Sequence, residues 1–174
     1  MENNNIPFYI AAILTFLSLK FGYRLMSSES LIWLLKPVSL MVEAITGARS
    51  VYLPEGAYYF KQLNVVIDKS CSGFNFWLLC FLMLNGLAIN NYHTIIQKTG
   101  VLLTSLFVAY LFTLFVNSCR IITSIAISNF NLNLIIDVDI THQSIGVATN
   151  LTFLIIIYLT TNHILIKKQN AKYI

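Results

Sequence analysis

Long apolar runs separated by short polar breaks dominate the chain, and the runs have the lengths that a lipid bilayer demands. Five stand out: Pro7 to about Leu19, continuing past Lys20 toward Met26; Leu31 to Thr46, interrupted by Lys36, Pro37 and Glu43; Phe74 to Ile89; Val101 to Val116; and Ile145 to Ile166. About 20 apolar residues cross the hydrocarbon core as a helix, because backbone groups in lipid must be bonded within their own segment. A sixth stretch, Ile121 to Ile136, is broken by Ser128, Asn129, Asn131 and Asn133 and predicts an interfacial or partly inserted helix followed by a turn. Only SVYLPEGAYYFKQLNVVIDKS has strand character: a Pro-Glu-Gly turn signal follows Val51-Tyr52-Leu53, and two runs, Ala57 to Phe60 and Leu63 to Ile67, are rich in aromatic and β-branched residues. The pattern predicts an all-α polytopic membrane protein with about five transmembrane helices, a short extracytoplasmic hairpin and an interfacial helix. No repeat, low-complexity tract or linker divides residues 1–174, which read as a single membrane domain.

Composition strengthens that reading. The chain is 57% hydrophobic and 10% charged, with a mean hydropathy of +0.72, whereas soluble domains carry about 25% charged residues. So little charge leaves too little polar surface to cover a water-facing globule. MENNN carries no positive charge and no small-residue cleavage site follows the first run, so that run reads as a retained span. The net charge of +4 calls for no nucleic-acid partner, since Lys and Arg also set membrane orientation. Cys71, Cys80 and Cys119 form no C-x-x-C pair and no metal-binding spacing, so neither a thiol–disulfide oxidoreductase nor a metal or cofactor site is expected.

Orientation follows from the basic residues. The KKQNAK tail is the densest cluster and places the C-terminus in the cytoplasm. Five spans then put the 117–144 region and residues 48–72 outside, the NNYHTIIQKTG loop inside and the N-terminus outside. Seven basic residues (Lys20, Arg24, Lys36, Lys98, Lys167, Lys168, Lys172) fall inside and four (Arg49, Lys61, Lys69, Arg120) outside. A re-entrant second segment flips only the N-terminus.

Three chemically potent side chains meet on the outer face of this topology: Cys71 at the start of the third span, Arg120 at the end of the fourth and His142 just before the fifth. Cys71 sits in Ser-Cys-Ser-Gly at a helix start, where free N–H groups and the backbone dipole favour an anion such as a thiolate. Ser70 or Ser72 can cap that helix, and Gly73 lets another chain approach the sulfur. Arg120 lies in apolar surroundings, three residues after Asn117 and so on the same helical face; its fixed charge and five donors suit a developing oxyanion. Snorkelling to headgroups is the bland alternative for an arginine at a span's end. His142 supplies a group that takes a thiol proton and returns it to a leaving amine. Asp137 or Asp139 can orient its ring, and Gly146, four residues on, clears space on the same face. Cys80 and Cys119 read as small buried hydrophobes, and His93 and His163 as incidental.

Cys71-Ser72-Gly73, Asn117-x-x-Arg120 and His142-x-x-x-Gly146, in that order across residues 65–150, resemble the motifs of the exosortase/archaeosortase family of polytopic membrane cysteine transpeptidases. The resemblance implies a cysteine nucleophile that cleaves C-terminal sorting signals of exported proteins, each a short motif, a transmembrane helix and a basic tail. It implies catalytic roles for Cys71, Arg120 and His142, transfer to an envelope acceptor amine, and the bacterial inner membrane as location. Histidine in third place points to the bacterial type, and the short chain to a compact variant similar to exosortase K. Two rival readings stand beside it. One is a non-enzymatic membrane subunit for assembly or transport, with Arg120 and His142 structural. The other is an intramembrane hydrolase using Asp137 and Asp139, which the i, i+2 spacing disfavours because the two would not share a helix face.

Overall fold

The computed structural model describes residues 5–129 and 138–171, and within them every side chain except those of residues 128, 129, 138–142 and 169. Five α-helices and three short strands follow one another: α1 (Ile6–Leu25), α2 (Ile32–Thr46), β1 (Val51–Leu53), β2 (Ala57–Phe60), β3 (Val65–Ile67), α3 (Phe74–Ile89), α4 (Ile95–Asn129) and α5 (Val138–Asn170). Single 3-10 turns, Glu29–Leu31 and Lys69–Cys71, lead into α2 and α3. The chain divides into two compact units, one of Met1–Leu25, Asn75–Phe112 and Phe153–Ile174, the other of Met26–Phe74 and Thr113–Thr152.

Among the described residues four helical stretches are long and apolar enough to cross a membrane: Ile6–Leu25, Lys69–Ile89, Ile95–Ile127 and Gln143–Lys168. The second expected span is not one of them. Residues 32–46 do form a helix, but its 15 residues reach only about 22 Å at 1.5 Å per residue, short of a hydrocarbon core of about 30 Å. Pro37 sits inside it and Gly47, at φ 71°, ends it in a left-handed cap that donates to the Glu43 carbonyl oxygen. The separate interfacial helix expected from residue 121 is also absent as such: residues 121–129 continue α4, and residues 130–137 lie outside the described residues.

In the first unit α3 is the central helix, with Trp77, Leu78, Cys80, Phe81, Leu84 and Ile89 buried, while α1 buries only Ala12. Aromatic edges lock it: Trp77 donates to the Leu106 carbonyl oxygen at 3.0 Å and meets Tyr110 edge-on, and Phe112 touches both Phe76 and Phe153. Polar side chains mark the ends of the helices. Asn5 donates to Asn90 at 2.7 Å, Tyr9 to the same oxygen at 3.1 Å, and Lys98, 3% exposed, to Asn5. Lys168 lies over the Tyr92 ring. The start of α1, the α3–α4 turn and the last turns of α5 therefore share one end, and Lys20, bonded to Asn75, joins the last turns of α1 to the first of α3.

The expected placement of the N-terminus and of Lys20, Arg24 and Lys36 rests on the second expected span, which is not among the helices long and apolar enough to cross a membrane.

The second unit is built on α2 and a small sheet. Leu34, Leu35, Val38 and Val42 form one face of α2, which packs on β2; with Leu31, Phe60 and Ile67 they are fully buried. The expected hairpin is present and gains a strand. The order is β1-β2-β3, antiparallel throughout, with Tyr52 opposite Tyr58 and Tyr59 opposite Val66. The Pro-Glu-Gly signal is the β1–β2 turn: Gly56 N–H donates to the Leu53 carbonyl oxygen at 3.0 Å with φ 77°. A Cβ there would stand 2.5 Å from the Glu29 backbone nitrogen, so only glycine fits.

Candidate functional site

Strand β3 delivers the chain straight into the cysteine turn. Asp68, in extended conformation, caps the turn Lys69–Cys71 by accepting from Ser70 N–H at 2.9 Å and Cys71 N–H at 3.3 Å. Ser72 then supports the start of α3, its hydroxyl accepting from Phe74 N–H at 3.4 Å. Of the two serines expected as caps, Ser72 takes that part. Cys71 is 8% exposed.

Gly73 has φ 72°, and a Cβ on it would lie 3.1 Å from Asn117 Cγ and 3.2 Å from Thr113 Cγ2. The missing side chain lets α4 close onto the turn. That close approach brings Asn117, 2% exposed, into position to donate through Nδ2 to the Cys71 carbonyl oxygen. Asn117 thus fixes the backbone at Cys71, a tighter role than the shared polar face read from its spacing.

One turn further along α4, Arg120 is half-buried, and its Nε is buried with no hydrogen-bond partner among the described residues. Its guanidinium lies against α5 at Gly146, where a Cβ would stand 3.2 Å from Nε and 3.5 Å from Cζ. The gap at Gly146 is therefore filled by Arg120. Residue 142 stands four positions earlier in the same helix, one turn toward its start. The side chains of His142 and Asp139, and all of Asp137, lie outside the described residues.

No known protein family, curated protein or solved structure matches this chain.

α4 is the common element of the site. Its Asn117 holds the Cys71 turn, and its Arg120 reaches the helix that carries position 142. Asp68 is the residue that sequence reasoning missed. An acidic residue three positions before a cysteine at a helix start carries the N-cap signature, but the two serines nearer to Cys71 drew the assignment. Cys80 is fully buried within α3 and Cys119 is half-buried; all three cysteines are free. Among the described residues no group of three or more His, Cys, Asp or Glu is placed to hold a metal ion.

Proposed function

We propose that the protein is a membrane cysteine transpeptidase of the exosortase kind, acting on C-terminal sorting signals of exported proteins. The observation that carries this reading is the double contact of α4: Asn117 on the backbone of Cys71 and, one turn on, Arg120 against Gly146 on the helix of His142. A merely buried thiol needs no such bracing, and a snorkelling arginine has no reason to lie against a glycine of a neighbouring helix.

In this scheme His142 takes the proton from Cys71, and the thiolate sulfur attacks the scissile carbonyl carbon. Arg120 stabilises the resulting oxyanion. Collapse breaks the C–N bond, the leaving amine receives the proton from His142, and a thioester joins the substrate to Cys71. An envelope amine, or water, attacks the thioester and restores the thiol. Confinement of enzyme and signal to one membrane raises their effective concentration. The core motifs, residues 65–150, supply every group the scheme uses; it needs no cofactor, metal or nucleic acid.

Exported substrates require the Cys71 end to face outward, in a bacterial inner membrane with the C-terminus cytoplasmic. A count of four spans would put seven of the eleven basic residues on the Cys71 side, which favours the rival reading, a non-enzymatic assembly or transport subunit with Arg120 and His142 structural. Two measurements separate them. Cys71→Ala is expected to abolish processing of exported proteins that carry a C-terminal motif, helix and basic tail, and a variant that still processes them would sink the transpeptidase. Cysteine substituted for the exposed Lys61 is expected to react with a membrane-impermeant thiol reagent in intact cells; protection there, with labelling only after lysis, puts the site inside.

A further inference from the structure

Strand β3 is an outer strand of the sheet and runs directly into the turn that carries Cys71. The groups that its free edge offers follow from the two turns of the sheet. Gly56 N–H donates to the Leu53 carbonyl oxygen at 3.0 Å, and Leu63 N–H to that of Phe60 at 3.1 Å. Leu53 therefore directs its carbonyl toward β2, and Phe60 toward β3. In an antiparallel ladder each residue points its N–H and C=O to the same side, and successive residues alternate. Leu53 stands opposite Ala57 and Phe60 opposite Val65. Both turns then give one assignment: Ala57 and Tyr59 bond to β1, Tyr58 and Phe60 to β3. Val65 and Ile67 bond back to β2, and Val66 turns both its backbone groups to the open side. Asp68 continues the extended backbone, so its N–H falls on that side too, with no hydrogen bond among the described residues. Val66 is 45% exposed, so the edge is open.

We propose that the substrate segment beside the scissile bond binds as an added strand along the free edge of β3, its backbone paired with Val66 and with Asp68 N–H. The inference rests on the reading of Cys71 as nucleophile and names how that site holds its substrate. Unpaired backbone donors and acceptors in a row are the complement of another extended chain. Cys71 follows Asp68 by three residues, so a strand seated there ends beside the sulfur's turn. The opposite edge, that of β1, runs into the Pro-Glu-Gly turn and leads to no nucleophile. Side chains point the same way. Val51, Tyr59 and Val66 stand opposite one another in an apolar row across the sheet, with Val51 and Val66 exposed, while Tyr58 and Ile67 in the next row are buried. An added strand extends the exposed row, setting every second side chain of the substrate beside Val66, where an aromatic or β-branched residue packs best.

The first test needs no substrate. Amide hydrogen exchange in the full-length protein in detergent is expected to be fast at Val66 and slow at Val65 and Ile67. A Val66 amide as protected as its neighbours overturns the proposal. The second test compares Val66→Pro with Val66→Ala in cleavage of an exported protein that carries the C-terminal motif, helix and basic tail. Proline removes the N–H on the open side and leaves the bonds to β2, whereas alanine keeps that N–H. Val66→Pro is expected to lower kcat/KM at least about tenfold, and Val66→Ala to stay within about threefold of wild type. Slow exchange at Val65 and Ile67 in the proline variant reports an intact ladder. With the ladder intact, wild-type kcat/KM in Val66→Pro overturns the proposal, as does a Val66→Ala protein as slow as Val66→Pro. If proline breaks the ladder, a benzophenone side chain placed at position 66 of the Cys71→Ala protein decides. Photocrosslinks to residues flanking the cleavage point support the added strand; crosslinks only to the signal's transmembrane helix, or none, overturn it. Failure of the transpeptidase reading is seen separately, as cleavage that survives Cys71→Ala.

Discussion

The two units of the chain use polar groups in opposite ways. In the unit built on α3, polar side chains tie helix ends to one another: Asn5 and Tyr9 donate to Asn90, and the buried Lys98 donates to Asn5. In the unit that holds Cys71, polar groups converge on one turn, and two glycines give up their side chains so that Asn117 and Arg120 can approach. The first arrangement spends hydrogen bonds on holding helices together. Each unit leaves one buried polar side chain without a hydrogen-bond partner among the described residues, Asn85 in the first and Arg120, through Nε, in the second; what sets the second apart is that Arg120 lies in the gap left by a glycine.

The contrast breaks most sharply at Arg120. Arg120→Ala is expected to lower turnover about 10²- to 10³-fold, the loss typical of an oxyanion donor, with little change in melting temperature. Gly146→Val, which fills the place of the guanidinium, is expected to cost roughly ten- to a hundredfold in turnover by displacing it. Both are read from the initial rate of signal cleavage in purified membranes. A Gly146→Val enzyme with wild-type turnover would mean that Arg120's position does not matter.

The next effects fall on stability. Gly73→Ala forces an L side chain to φ 72° and against Asn117, at a cost of about 1–3 kcal/mol, visible as a lower thermal midpoint in detergent. Lys98→Met in the other unit removes the donor to Asn5 and is expected to lose about 1–3 kcal/mol as well. Its turnover per folded molecule should stay at the wild-type value. Lost turnover in Lys98→Met would erase the distinction between the units.

The smallest effect concerns pH. The Ser50 hydroxyl and N–H both donate to Glu43 Oε1, at 2.5 Å and 2.7 Å, and hold its carboxyl below the ordinary value; Arg49 adds to this and burial opposes it. A lowered folded value contributes stability that is fully present above the unfolded value near 4.5 and lost as pH falls through the folded value. Ser50→Ala should flatten that acid limb, so its melting temperature should fall less than wild type between pH 5 and more acidic buffer.

The membrane class was legible because it depends on composition and run length, which the bilayer imposes directly. Strands β2 and β3 and the turn at Gly56 were legible for a similar reason: turn chemistry and enrichment in aromatic and β-branched residues are local. The shortness of the helix at residues 32–46 was not. Residues 31–46 have the hydropathy of a span, but a proline, two charges and a left-handed glycine cap keep α2 to 15 residues beside the sheet.

Around Cys71 the division is finer. Sequence alone determined the order of Cys71, Asn117, Arg120 and His142 and put Asn117 and Arg120 on one helix face, since helical periodicity sets that spacing. It did not determine where the fourth helix ends, for α4 continues past Arg120 to Asn129. Tertiary structure decided what they touch: Asn117 on the Cys71 carbonyl oxygen, Arg120 in the gap at Gly146, and Asp68 as cap of the turn. The physical reason is that a glycine's missing side chain and a carboxylate's spare lone pairs become contacts only when another segment is brought within about 3 Å. That approach is set by how helices pack, and helix packing is a property of pairs of segments that neither segment carries alone.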